Sequence, residues 1–322
     1  MDIFHPVKIF ADWLTYKIFA IPPETLLAEA VNFFIYDTIK IFFLLAVIIF
    51  SVSIIRSFLP PEKIRKILFR KNKYMGNILA AVFGIITPFC TCSAIPLFLG
   101  FLEAGIPLGV TFSFLVSSPM INEVALVMLL GMFGLKIALI YAVSGLIIAI
   151  VAGIIIGQLR VEKLIEKIAF KPSADSFIAG LKLSSKDRIR LAREYTLCII
   201  KGVWPYVIVG IGLGAWMHGY VPSDFLARYA GGTRWYAVPV ATLIGIPLYS
   251  NAAGIIPLVS VLTEKGVSMG TTLTFMMAVT GLSLPEFMIL KKVMKVKLLV
   301  LFAGIVGTGI VFTGYLFNFI LK

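Results

Sequence analysis

Long runs without a charged side chain constrain this sequence most. Residues 137–157 and 298–320 carry none. Wound as a helix at 1.5 Å per residue, either run crosses a hydrocarbon core of about 30 Å. Backbone groups in lipid must bond within their own segment, so runs of this kind form helices. With 14% charged and 60% hydrophobic residues, the chain also has too little charge to cover a water-soluble surface. The sequence therefore predicts an all-α polytopic membrane protein.

The first 20 residues differ from a cleaved signal peptide. Asp2 and Asp12 interrupt them, and they contain no unbroken apolar core. Aromatic and basic residues such as Trp13 and Lys17 favour a helix lying in the membrane interface.

The net charge of +13 is concentrated in three loops. Loops 56–74, 159–195 and 291–297 together hold 20 of the 29 Lys and Arg residues. Basic stretches also occur in nucleic-acid-binding proteins. In a chain with spans of this length, however, the positive-inside rule predicts that all three loops are cytoplasmic. We therefore expect a cell-membrane protein with no nucleic-acid partner.

Three apolar stretches separate the first two basic loops: 75–102, 107–133 and 137–157. Three simple crossings would leave those loops on opposite sides, so one stretch must turn back. The stretch 75–102 contains Pro88 and Pro96, and proline both removes a helical N–H and disfavours helix in the residue before it. We predict a broken-helix hairpin there, either half-membrane or fully crossing.

An offset of 161 residues aligns the second half with the first without gaps. Between 96 and 114 seven residues of 19 are identical to their partners. The pairs are Pro96/Pro257, Leu97/Leu258, Glu103/Glu264, Gly105/Gly266, Gly109/Gly270, Thr111/Thr272 and Phe114/Phe275. Internal repeats are typical of transporter folds. The sequence predicts an N-terminal repeat, 1–161, and a C-terminal repeat, 162–322, that opens with a basic cytoplasmic linker at 162–195.

Equivalent loops of the two repeats carry opposite charge bias. Loop 59–74 is strongly basic, while 220–235 holds only Arg228 and Arg234 with Asp224. Equivalent loops should therefore face opposite sides, as in inverted-topology repeats. Each repeat would have three spans plus a hairpin, giving 8 to 10 membrane helices in all.

Candidate solute-binding residues lie at the hairpin breaks, 87–96 and 248–257. They are Cys90, Cys92, Ser93, Ser250 and Asn251, flanked by the helix-breaking prolines Pro88, Pro96 and Pro257. A C-x-C pair can hold a soft atom or cycle between dithiol and disulfide. Alternatively, both cysteines are small apolar packing residues.

A second constellation lies in the following span of each half. It comprises Ser117, Ser118, Pro119, Asn122 and Glu123, with Pro285 and Glu286 in the second half. A carboxylate inside the bilayer is costly and by default marks a pathway or proton relay, so Glu123 and Glu286 are candidates for proton coupling. Glu123 could instead be uncharged in a helix contact, and Glu286 could pair with the basic run at 291–297.

The sequence lacks the spacings of a phosphate-binding loop, a zinc site or a nucleophile elbow. We therefore expect a protein that is not an enzyme and needs no cofactor or metal.

Three segments together resemble the predicted permease family, a family of unknown function that includes bacterial organoarsenical efflux permeases. They are TPFCTCSAIPLF at 87–98, EAGIPLG at 103–109 and FLVSSPMINE at 114–123. The resemblance extends over most of residues 36–320. It implies a membrane permease and, for some members, export of trivalent methylated arsenicals. The cysteines of the efflux members would correspond to Cys90 and Cys92.

Three functions remain open from the residues. A permease could move a small thiophilic solute, with Cys90 and Cys92 as transient ligands. A transmembrane thiol–disulfide relay could use the same cysteines with a thioredoxin-like partner. A permease for a small anion or sulfur compound could bind it at helix N-termini. In each case membrane lipid surrounds the protein, and the oligomeric state is not specified by the sequence.

Overall fold

The computed structural model describes residues 4–23, 25–58, 73–87, 91–103, 105–166, 184–220, 234–248, 252–291 and 293–321. Within these ranges the regular structure is helical, apart from one isolated antiparallel bridge between Ile165 and Met294.

Six α-helices lie in the described part of the first half. They are α1 (His5–Asp12, continued by a π-helical stretch, Trp13–Ile18), α2 (Leu26–Phe58), α3 (Lys73–Ile86), α4 (Thr91–Glu103), α5 (Leu108–Met120) and α6 (Glu123–Gln158). A 3₁₀ turn, Glu162–Leu164, follows α6.

The second half also contains six described helices. They are α7 (Ser185–Tyr220), α8 (Ala237–Gly245), α9 (Ala252–Glu264), α10 (Met269–Gly281), α11 (Leu284–Leu290) and α12 (Val296–Ile320).

Four helical segments of the described chain are long and apolar enough to cross a membrane. They are Leu26–Ser51, Glu123–Gln158, Met269–Leu290 and Val296–Ile320. The protein is therefore an all-helical, multi-pass membrane protein, as predicted. The total of 8 to 10 membrane helices and the inverted orientation of the halves stay predictions.

Two helices form the centre of the fold, α5 in the first half and α10 in the second. Every residue of α5 is buried, and so is every residue of α10 from Gly270 onward. A helix that is apolar all round is enclosed by other elements. Here α3, α4 and α6 surround α5, while α8, α9 and α12 surround α10, and the two central helices contact each other.

Glycines set how closely each central helix approaches its long neighbour. A Cβ atom on Gly109 of α5 would lie 2.9 Å from Cα of Gly157 in α6. A Cβ atom on Gly270 of α10 would lie 2.6 Å from the carbonyl oxygen of Gly314 in α12. Small residues of this kind allow membrane helices to touch backbone to backbone.

The helix bounds follow the offset of 161 residues seen in the sequence. If 161 is added to the first and last residue numbers of α4, the bounds of α9 result, and the same addition to α5 gives the bounds of α10. The turns between them also correspond, because Gly105 and Gly266 take φ values of 74° and 82°. Glycine adopts that conformation without the strain that a side chain would add.

The bridge between Ile165 and Met294 joins the linker after α6 to the segment before α12. Lys295 N–H donates to the Leu164 carbonyl, and Glu166 N–H donates to the Val293 carbonyl, both at 2.8 Å. Residues 164–166 and 293–295 are thus in contact. That loops 159–195 and 291–297 are cytoplasmic stays a prediction.

The N-terminal helix packs along α2 with an apolar face left open. Asn32 Nδ2 of α2 donates to Asp12 Oδ1 at 2.8 Å. Ile9, Phe10 and Trp13 remain exposed. This one-sided exposure is typical of an interfacial helix.

Candidate functional site

Four pairs of consecutive helices around the core are separated by short intervals, which we call helix breaks. They are 87–90 between α3 and α4, 121–122 between α5 and α6, 246–251 between α8 and α9, and 282–283 between α10 and α11. Helices α3 to α5 have 14, 13 and 13 residues. At 1.5 Å per residue each is about 20 Å long, shorter than a hydrocarbon core of about 30 Å. None of the three is therefore long enough to cross the hydrocarbon core alone.

Contacts bring three of the four breaks together. Met120, at the end of α5, touches Gly281, at the end of α10, because a Cβ on that glycine would lie 2.8 Å from Met120 Cε. In the second half Leu284 N–H donates to the Ile246 carbonyl at 2.9 Å, which joins the breaks at 246–251 and 282–283.

Tyr141 of α6 lies beside this meeting point, and the sequence analysis missed it. Its buried hydroxyl donates to the Met120 carbonyl at 2.9 Å, and the Thr280 hydroxyl of α10 lies within hydrogen-bonding reach. The side chain therefore links the end of α5 to α10. The available signal was a lone tyrosine within the uncharged run 137–157.

The predicted cluster around Pro119 is partly explained by helix ends. Asn122 Oδ1 accepts from Ala125 N–H at 2.7 Å, so it caps α6. Ser117 Oγ donates to the Phe114 carbonyl at 3.2 Å, and Ser118 is buried near it. Pro119 is the penultimate residue of α5. Glu123, in the first turn of α6, is exposed.

Four of the predicted hairpin residues, Pro88, Cys90, Ser250 and Asn251, lie outside the described residues. Cys92, Ser93 and Pro96 belong to α4 and Pro257 to α9, with side chains outside those described. The helices thus continue through both prolines, and the breaks lie before them.

Each of these two prolines leaves one backbone carbonyl of its helix without the usual N–H donor. A proline has no N–H, so Pro96 cannot donate to the carbonyl four residues earlier, that of Cys92. Pro257 likewise cannot donate to the Ala253 carbonyl. Each half therefore has a main-chain acceptor without its helical donor in the first turn after the hairpin break.

Glu286 is the exceptional residue of the site. It is 1% exposed, and neither carboxyl oxygen has a hydrogen-bond partner among the described residues. Its helix, α11, packs against α4 of the first half and against α7. In the described part of the chain Glu286 makes no ion pair with the basic run. A buried carboxyl group without a partner in a membrane protein is by default a candidate functional position.

The Glu286 carboxyl group also takes no part in capping its own helix. The pattern from Ser283 to Glu286 matches a capping box, in which the glutamate bonds back to the first residue of the pattern. The structure contains no such side-chain cap at Ser283. Pro285 lies in the first turn of α11, with its side chain outside those described. The carboxyl group of Glu286 is therefore not used to begin the helix.

Comparison with known proteins identifies relatives along most of the chain. Residues 26–319 match a family described as predicted permease. The UPF0718 protein MJ0584 of Methanocaldococcus jannaschii is 24% identical, over 78% of this chain and 84% of that protein. A Streptococcus mutans protein, named as a candidate subunit of a two-component membrane permease complex, is 29% identical over 78% and 82%. The UPF0718 protein YcgR of Bacillus subtilis is 26% identical over 57% and 61%. No solved structure matches.

Proposed function

We propose, because the chain belongs to the predicted permease family, that it carries a small solute across the membrane through a site between its two halves. The observation that carries this proposal is the contact between Met120 and Gly281. In this contact the C-terminal ends of the two buried central helices, α5 and α10, meet at the points where the two helices stop.

Helix breaks supply the groups that such a site needs. Irregular backbone at membrane depth is tolerated where it is buried in protein or lines a cavity. Broken helices in transporters bind solutes with their N-termini and their freed carbonyls. The carbonyls of Cys92 and Ala253, each without its helical donor, are groups of this kind.

We propose an inverted arrangement in which the hairpins α3–α4 and α8–α9 enter from opposite sides. The opposite charge bias of loops 59–74 and 220–235 supports it. The short helices support half-membrane hairpins over full crossings. The bridge between 164–166 and 293–295 supports a common side for two of the basic loops, which we assign to the cytoplasm.

The proposed solute is small and thiophilic, with a trivalent organoarsenical as the candidate for efflux. Trivalent arsenic is soft and binds thiolates, which Cys90 and Cys92 would provide next to the break before α4. Ser93, Ser117, Ser118, Ser250 and Asn251 would supply polar lining around it.

Uptake of a trivalent methylarsenical into everted membrane vesicles tests this function. We expect the wild type to accumulate the solute and the Cys90→Ser/Cys92→Ser variant to lose accumulation. The matched control is Cys198→Ser, which changes the half-buried cysteine of α7 and should leave uptake intact. The name of the Streptococcus mutans relative supports a parallel assay with a co-expressed second membrane component.

Two outcomes would redirect the assignment. Accumulation that persists without both thiols would remove the cysteines from the path and favour a small anion or sulfur compound. Absence of accumulation in the wild type, together with reduction of Cys90 and Cys92 by a thioredoxin-like protein, would favour the thiol–disulfide relay.

A further inference from the structure

We propose that Glu286 is a proton-binding site, and that release and rebinding of its proton are coupled to movement of the solute. The coupling rests on the proposed permease function, whereas the proton site rests on the structure of α11 and its surroundings. In the described conformation the proton is bound as the neutral carboxylic acid. In the conformation that opens α11 to water, the O–H bond breaks, the electron pair stays on the carboxylate and the proton passes to water.

The first argument is burial without a partner. Neither oxygen of Glu286 has a hydrogen-bond partner among the described residues, and the side chain is 1% exposed. A charged carboxylate in that setting would lack both water and a neutralising group, which is costly inside a protein. Binding a proton removes the charge.

The second argument concerns charged and titratable groups on the elements packed against α11. On α7, Cys198 is half-buried, and four titratable side chains lie outside those described: Tyr195, Tyr206, His218 and Tyr220. The described charged side chains of α7 are Lys186, Asp187, Arg188, Arg190, Arg193, Glu194 and Lys201, and all are exposed except the half-buried Arg188.

Among their described residues, the remaining neighbours supply no buried cation either. On α4, the side chains of Cys92 and Glu103 lie outside those described, and α10 contains no titratable residue. After α11, Lys291 and Lys295 are exposed and Lys292 lies outside the described residues. In the described part of the chain, no buried cation therefore accompanies the Glu286 carboxyl group.

The third argument selects a proton over a metal cation. Hard cations such as Ca²⁺ need six to eight oxygen ligands. Among the described residues neither Glu286 oxygen has a hydrogen-bond partner, and no group of three or more His, Cys, Asp or Glu side chains is placed to hold a metal ion. A proton needs only the carboxyl group itself.

The position of Glu286 suits exchange with one side. It lies three residues after Ser283 and five before Lys291, so about 4.5 Å of helix rise separates it from the central break and about 7.5 Å from the basic loop. Helix α11 is bounded by that break and, at its other end, by the loop that contains the bridge. A displacement of this seven-residue helix from α4 and α7 would expose the carboxyl group on the side of loop 291–297.

Glu123 provides a matched control. It also lies in the first turn of a helix that begins at a central break, but its side chain is exposed. The structure therefore selects Glu286 from the two carboxyl groups that the sequence offered for proton coupling.

Labelling with dicyclohexylcarbodiimide tests the site without any knowledge of the solute, because this reagent modifies protonated carboxyl groups in apolar surroundings. In reconstituted full-length protein we expect mass spectrometry to find the adduct on Glu286. Labelling should fall as pH rises and should not respond to Na⁺. Glu286→Gln should lose this adduct and Glu123→Gln should keep it. Absence of the adduct, labelling independent of pH, or protection by Na⁺ at constant pH would overturn the proton site.

A transport experiment tests the coupling. With trivalent methylarsenical as the probe, we expect Glu286→Gln to lose accumulation driven by a pH gradient by about tenfold or more. The same variant should retain exchange of labelled for unlabelled solute, and Glu286→Asp should recover part of the accumulation. Unchanged gradient-driven accumulation, or loss of exchange as well in a protein that melts like the wild type, would contradict coupling. Failure of the wild type to transport the probe would contradict the proposed solute, while the labelling result would still decide the proton site.

Discussion

At the residue scale, the two helices that begin at the central breaks differ in how they start. Asn122 caps α6 through its side chain, whereas Ser283, at the corresponding position 161 residues later, makes no side-chain cap for α11. The first break is thus held by a local hydrogen bond. The second is held by the contact of Leu284 N–H with Ile246, a longer-range interaction.

This difference predicts unequal effects of removing the two side chains. We expect Asn122→Ala to lower the free energy of unfolding by about 1 kcal/mol, the usual cost of losing an N-cap. Ser283→Ala should cost less than half as much. Thermal unfolding of both purified variants in detergent checks this pair, and equal losses would contradict the assigned cap.

The residues of the hairpin also show what sequence patterns can and cannot locate. The prolines suggested an interruption at 87–96. In the structure one helix ends at Ile86, and the next begins at Thr91 and continues through Pro96. A proline removes only its own N–H bond, and packing of α4 against α5 can outweigh that loss. The burial of Glu286 could not be read from the sequence, because it depends on α4 and α7, which are distant along the chain.

At the element scale, the glycine contacts of α5 and α10 determine how tightly each half packs. Glycines recur in the last long helix of each half, among them Gly153 and Gly157 in α6 and Gly314 in α12, a pattern typical of close packing between membrane helices. The partners were not predictable, since they depend on which faces of α5 and α10 are turned toward those helices. In the structure, Gly109 meets Gly153 and Gly157, and Gly270 meets Gly314 and Asn318.

We therefore expect Gly270→Ala to be destabilising, because its added methyl group would lie 2.6 Å from a backbone carbonyl oxygen. The usual cost of such overpacking is about 1–3 kcal/mol. Gly304→Ala is the matched control on α12, where nothing lies within 4 Å of the added Cβ. That change should be neutral or stabilising, since alanine favours helix more than glycine. The melting temperatures of the two variants in the same detergent test this prediction. Equal melting temperatures would contradict the close contact at Gly270.

At the scale of the whole molecule, the run lengths and the charge pattern were enough to predict a helical, multi-pass membrane protein. The break within 107–133, where α5 ends at Met120, was less accessible. The sequence suggested separate stretches on either side of Lys136. In the structure α6, Glu123–Gln158, is interrupted close to that point by Gly134, whose φ of 82° and ψ of 172° are not helical. Glycine adopts this conformation without the strain that a side chain would add.

The predicted sidedness can be checked with single cysteines in a background in which Cys90, Cys92 and Cys198 are serine. Glu162→Cys follows α6 near a basic loop, and Trp235→Cys precedes α8 at an exposed position. We expect a membrane-impermeant maleimide to label the cysteine at 235 in intact cells. It should label the one at 162 only after permeabilisation, because positive loops stay inside. The reverse pattern would invert the assigned topology.

The bridge between Ile165 and Met294 has a consequence for how the protein is made. Its two strands are separated by all of α7 to α11, so the contact cannot form during synthesis until the chain has been extended past Lys295. Contacts of such long sequence separation require a large loop to close first, which makes them late events in assembly. The linker after α6 is therefore synthesised long before this contact can form, and it pairs with the segment before α12 only after the chain has been extended past Lys295.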